Sequence, residues 1–81
     1  MRRRIFDISS SPMALDVDID TGGNINVNFS TDWYQGYVKF SQYGNLLDSS
    51  LNRNPLMDDF LKDSLHRRIR NALVKYGYLT T

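Results

Sequence analysis

The chain has no cysteine and no glutamate, and only one tryptophan, one histidine and two prolines among its 81 residues. Without cysteine it can form neither a disulfide nor a thiolate metal site. Without glutamate all nine acids are aspartate, and the bidentate ligand that closes an EF-hand calcium loop is missing. No apolar run approaches the roughly 18 residues of a membrane span. Residues Met1-Arg2-Arg3-Arg4-Ile5-Phe6-Asp7-Ile8 carry their charges with no apolar segment behind them, so they do not read as a secretory signal. A cytoplasmic protein without membrane contact is the expectation. The net charge of +1 selects no partner by itself.

What the chain does have is pattern. From Leu15 to Phe29 apolar and polar residues alternate on both sides of Gly22-Gly23, the period-2 signature of two half-buried strands joined as a hairpin. One face carries Leu15, Val17, Ile19, Ile25, Val27 and Phe29. The other sets three aspartates against three asparagines. Pairing Asp20 with Asn24 leaves Thr21-Gly22-Gly23 as a three-residue loop, whereas a two-residue loop would set Ile19 opposite Asn26 and mix the faces. A further strand is expected from about Trp33 to Tyr43, with Phe29 opposite Tyr34. A short first strand is expected at residues 4–8, followed by a break at Ser9-Ser10-Ser11-Pro12. Gly36 leaves a gap in the apolar face that a helix could approach.

Leu46 to Arg53 reads as a connector, with a helical turn through Leu47 and Leu51. Beyond it Asn54 suits an N-cap, Pro55 the first helical position, and Asp58 and Asp59 the positive end of the helix dipole. Met57, Phe60, Leu61, Leu65, Ile69, Ala72, Leu73 and Tyr76 recur at helical steps, and Gly77 is a C′ stop. Tyr78 and Leu79 are expected to fold back as a cap. The segments are a basic N-terminal stretch and short strand (1–12), an antiparallel meander (13–43), a connector (44–53), a helix (54–77) and a tail (78–81), in one domain. Each apolar face has only the other to bury it. The expected fold is therefore α+β, a meander of three or four antiparallel strands packed on one face by a single C-terminal amphipathic helix.

The outer sheet face can be written from this register as three rows: Asp16, Asn28 and Gln35; Asp18, Asn26 and Tyr37; Asp20, Asn24 and Lys39. Trp33 and Tyr43 point the same way from the strand ends. A plain solvated face is the bland explanation. Calcium fails because alternate carboxylates on a strand lie about 6.6–6.8 Å apart and point in parallel. His66 has Asp59 and Asp63 on neighbouring turns, a spacing that suits surface pairing better than a metal. No nucleophile–base–orienter set, phosphate loop or dinucleotide fingerprint is present, so no enzyme and no cofactor are expected. The charges suggest a negative sheet face and positive ends.

Exposed Trp and Tyr beside charge are the usual composition of interface anchors. The leading expectation is thus a small accessory or inhibitory protein, of a kind often found in bacteria and their viruses. It would bind another macromolecule, foremost a protein and plausibly a basic one, through Trp33, Tyr37, Tyr43, Asp16, Asp18, Asp20 and Lys39. The alternative is a nucleic-acid-binding module using Arg2, Arg3, Arg4, Arg67, Arg68, Arg70 and Lys75 through phosphate contacts. A homodimer is a third possibility, formed if the strand over 33–43 is a sheet edge. No motif of a known family stands out, and architecture alone carries no function.

Overall fold

A strand whose alternate residues are apolar has one face to hide, and a five-stranded sheet is built around that need here. The computed structural model describes residues 2–8 and 11–80; Met1, Thr81 and the Ser9-Ser10 part of the expected break lie outside the described residues. Strands β1 (Arg2–Asp7), β2 (Met13–Ile19), β3 (Ile25–Ser30), β4 (Gln35–Phe40) and β5 (Leu46–Ser49) form one antiparallel sheet in chain order, a continuous meander. A 3-10 turn (Leu51–Arg53) and a single helix, α1 (Asp59–Lys75), complete it. The fold is α+β with one helix on the sheet. No described helix is long and apolar enough to cross a membrane.

The central hairpin has the register its pattern demands. Asp16 faces Asn28, Val17 faces Val27 and Asp18 faces Asn26. The loop closes through Gly23 N–H to Asp20 O and Asp20 N–H to Asn24 O, both 3.0 Å. Gly23 takes φ +81°, the left-handed conformation a three-residue hairpin loop needs.

The sheet is wider than three or four strands because Leu46–Ser49 is a strand rather than part of a connector. It is four residues long and carries a register shift opposite Lys39 and Phe40; such a bulge destroys the alternation that would have announced it. The helical turn starts only at Leu51. β4 is shorter than expected, and Trp33, Tyr34 and Tyr43 lie in the loops at its ends. Phe29 pairs with Gly36, not Tyr34. The reason is Thr31, whose Oγ1 accepts the N–H groups of Trp33 (3.1 Å) and Tyr34 (2.9 Å). This folds residues 31–34 into a four-residue loop. The slip is two residues, so every side chain keeps its face. Because β4 is bonded to β3 on one side and β5 on the other, dimerisation by pairing across 33–43 is closed off.

The helix starts four residues later than expected. Asn54 and Pro55 make a turn instead, with Asn54 accepting Leu56 N–H on its side chain (3.0 Å) and Met57 N–H on its carbonyl (3.3 Å). Asp58 is the N-cap, accepting Phe60 N–H at 3.0 Å. Two capping signals compete within five residues, and the second prevails. At the other end Gly77 adopts φ +85°. Its N–H bonds Val74 O (3.1 Å) and Tyr78 N–H bonds Leu73 O (2.8 Å), the paired bonds of a Schellman stop. The stop turns Leu79 into the core.

Leu65, Ile69, Ala72 and Leu73 are buried against Leu15, Val17, Val27, Val38 and Phe40. Each large side chain so covered contributes roughly 1.5–3 kcal/mol. Phe60 does not join them; it is exposed, as is Leu56. The helix is tied to the β5 side by Ser49 and His66 (Oγ to Nε2 2.6 Å) and to β1 by Arg68 and Asp7 (2.9 Å). It therefore crosses from one edge of the sheet to the other and leaves the opposite sheet face uncovered.

Candidate functional site

The uncovered face is assembled by register. Residues directly opposite in an antiparallel pair point the same way, so Arg2, Asp18, Asn26, Lys39 and Asp48 form one row and Arg4, Asp16, Asn28 and Tyr37 the next. Phe6, Ala14, Ser30 and Gln35 form a third. Phe6 is half-exposed on this face, while Ile5 beside it is buried on the other.

The rows overturn the expectation of a negative face with positive ends. β1 lies against β2 and brings arginines to the aspartates. Arg4 binds Asp16 with two bonds, Nε to Oδ1 at 2.8 Å and a terminal nitrogen to Oδ2 at 3.1 Å. That bond holds the Asp16 carboxyl below its ordinary range, aided by the charges of Arg4 and Arg2. Arg53 binds Asp48 at 2.5 Å. The face is a mosaic of matched charges, and it offers no acidic rim to steer a basic partner.

Asp20 has a local task. Its Oδ1 accepts the N–H groups of Gly22 (2.9 Å) and Asn24 (3.0 Å), and Asn26 and Lys39 approach Oδ2 at 3.3 and 3.9 Å. The Asn24 backbone bond is the main reason its carboxyl stays below the usual range. It staples the hairpin loop and stands apart from the centre of the face.

Tyr37 is fixed at that centre. Its hydroxyl donates to Asn26 Oδ1 at 2.5 Å, and its backbone N–H donates to Ser50 Oγ at 2.9 Å. Burial, followed by the nearby Asp48 and Asp20 charges, raises its phenol above the ordinary value. Beside it lies an open depression of about 540 Å³ lined by Asp16, Asn28, Ser30, Gln35 and Tyr37, with Gly36 among the residues beneath. Gly36 is required there by close approach, though not by the helix. A Cβ on Gly36 would stand 2.5 Å from Ser50 Oγ and 3.0 Å from the Phe29 ring.

Trp33 stands two residues before Gln35, in the loop at the depression's end of β4, and is 81% exposed. Tyr43 is equally exposed, at 82%, but belongs to the loop at the far end of the strand. A six-residue strand spans roughly 20 Å, so the two aromatics do not share a patch. No family model matches this chain, and no curated protein or solved structure matches it.

The basic residues of the helix are dispersed rather than gathered. Arg68 reaches Asp7 and donates to Ser11 O (2.6 Å). Arg70 donates to Gly44 O (2.5 Å) and lies 5.0 Å over the Phe40 ring. Lys75 sits 5.9 Å over Tyr76. Of these four, Arg67 and Lys75 are exposed and Arg68 and Arg70 half-buried.

His66, read as a surface residue, instead faces Ser49. Ser49 is 3% exposed and its hydroxyl also accepts Leu51 N–H at 3.2 Å; a neutral imidazole can take the hydroxyl proton at Nε2. Burial lowers the His66 pKa, with Asp63 opposing. A hydroxyl enclosed in this way has no route to a substrate; the pair joins β5 to α1. Sequence reasoning missed it because nothing in the spacing of Ser49 and His66 announces the contact. The arginine–aspartate matching was within reach: Arg2 and Arg4 carry the same two-residue step as Asp16 and Asp18.

Proposed function

We propose that this protein is a non-catalytic binding module that engages a protein partner through the outer face of its sheet, centred on Trp33, Gln35, Tyr37 and Asn28. The observation that carries this reading is the uncovered depression beside Tyr37, with an 81%-exposed Trp33 in the loop two residues before Gln35, which lines it. A large exposed indole on the loop that leads into a polar floor of Asn, Gln and Tyr has the composition of an interface anchor and its hydrogen-bonding surround. The matched charges on the face favour a partner recognised by shape and hydrogen bonds over one drawn in by bulk charge.

The nucleic-acid reading has less behind it. Arg4, Arg68 and Arg70 are engaged within the chain, and a phosphate would have to compete for them. It predicts association that weakens steeply with salt.

The test compares capture of partners from native cells by the wild-type protein and by three variants. Trp33→Ala removes the anchor, Asn28→Arg lays a long side chain across the depression, and Tyr43→Ala alters the remote loop. The reading expects one protein species lost with the first two and retained with the third, all at unchanged melting temperature. Retention by Trp33→Ala and Asn28→Arg refutes it.

A further inference from the structure

We infer that the free edge of β1 is a second docking site, one that takes an extended acidic peptide segment as an added strand. Of the sheet's two edges this is the longer and more regular among the described residues. β5 has four residues, a register shift and an immediately following 3-10 turn. β1 has six residues, and Tyr76 Oη donates to the Phe6 carbonyl at 3.3 Å. That bond marks Phe6 as a residue whose backbone points away from β2. In an antiparallel ladder both backbone groups of a residue point to the same side and the side alternates, so Arg4 and Arg2 also present N–H and C=O to the edge.

The charges select the occupant. Among the described residues neither Arg2 nor Arg3 makes an ion pair, and they lie on opposite faces of the strand. An added strand with carboxylates at neighbouring positions meets one guanidinium on each face. A second copy of this chain paired about Arg3 or Arg4 would bring arginine against arginine, and like charges across strands are destabilising. Three arginines in six residues thus favour an acidic strand over a second copy. At the Phe6 end a depression of about 230 Å³ opens between strand and helix, with Phe6, Ala72 and the Tyr76 ring among walls that also include Asp7, Arg68 and Lys75. Pockets for whole small ligands run roughly 300–1,000 Å³; this one has room for a single apolar side chain. The occupant is an extended segment with acids at the Arg2–Arg3 end and an apolar residue at the Phe6 end. This surface is separate from the Trp33 face, and its test is independent of that reading.

Two synthetic peptides serve as probes, Glu-Glu-Glu-Val-Thr-Val-Phe and its reverse, so that both strand directions are sampled. Counterparts with lysine replacing glutamate are the controls. Amide NMR of the full chain should show shifts, and slowed exchange at the Arg2 and Arg4 amides, with one acidic peptide and not with its lysine counterpart. Arg2→Glu combined with Arg3→Glu should weaken that binding roughly tenfold, the scale of a few cross-strand charge pairs turned from attraction to repulsion. Trp33→Ala should leave it unchanged. If the double reversal does not fold, the contrast between acidic and lysine peptides on the wild-type chain still decides. Equal binding of the lysine peptide, shifts confined to β4 and β5, or no binding at millimolar peptide each overturns the inference. So does protection of the β1 amides without peptide in a protein of doubled mass.

Discussion

Gly36 supplies the most exacting test of the packing beneath the proposed site. A methyl group there would lie 2.5 Å from Ser50 Oγ and 3.0 Å from two carbons of the Phe29 ring. Ser50 cannot simply rotate away, because its Oγ accepts Tyr37 N–H at 2.9 Å; losing that bond would leave a partly buried donor unpaired at a cost of about 1–3 kcal/mol. Phe29 is 2% exposed, in the core, and shifting it is overpacking of similar cost. Against this, Gly→Ala at an unstrained position stabilises by about 0.4–1 kcal/mol through the unfolded chain. The net expectation for Gly36→Ala is a loss of about 1–5 kcal/mol. At about 4–8 °C per kcal/mol for a chain of this size, melting should fall by at least about 5 °C. Gly22→Ala is the matched control, since its nearest neighbours are side-chain atoms at 3.4 and 3.6 Å; it should be neutral or slightly stabilising. Urea unfolding followed by far-UV circular dichroism measures both. If Gly36→Ala is as stable as wild type, the close packing of Ser50 and Phe29 under β4 is wrong.

Other expectations follow from the same contacts. Gly77→Ala meets no atom within 4 Å but must hold φ +85°, so it should cost about 1–2 kcal/mol from left-handed strain alone, read by thermal melting. Arg68→Met removes the guanidinium from an ion pair with Asp7 whose side chains are 17% and 15% exposed. With that residual exposure it should cost about 2–4 kcal/mol in urea, less than a fully buried pair at the upper limit. The pH dependence has one sign throughout. His66 titrates lower in the folded protein than in the unfolded chain, so the unfolded state binds the extra proton and stability falls as pH drops below about 6.5. Asp16 and Asp20, also lowered, add a second loss as pH falls below about 4. Stability measured from pH 8 to 3 should decline in two steps, and His66→Gln should erase the first. A profile that rises on acidification contradicts the Ser49–His66 geometry.

The hairpin was legible because two constraints agree: strict alternation fixes the faces, and the Gly pair fixes the loop. The helix was legible in its body and its Gly77 stop, where apolar period and C-terminal chemistry coincide. Its start was not, because Asn54-Pro55 and Asp58 are both sound capping signals and only tertiary packing chooses between them. β5 was hidden by its shortness and its bulge. The β4 register slipped by two residues because the hydroxyl of Thr31, rather than the apolar pattern, sets that loop. The candidate site was legible in its inventory of outward-facing residues and misread in its electrostatics. Single-strand reading sees Asp16, Asp18 and Asp20 as a negative stripe; Arg4 pairs with Asp16, Arg2 stands opposite Asp18, and the hairpin loop occupies Asp20. The separation of Trp33 from Tyr43 followed from where β4 begins and ends.

Amide hydrogen exchange of the protein alone and in its purified complex tests most directly whether the uncovered sheet face is the working surface. If it is, partner binding slows exchange in residues 26–30 and 33–37, around the Tyr37 depression, and leaves the helix 59–75 unchanged. Slowing confined to the helix, with those segments unaffected, would place the interface on the other side of the molecule.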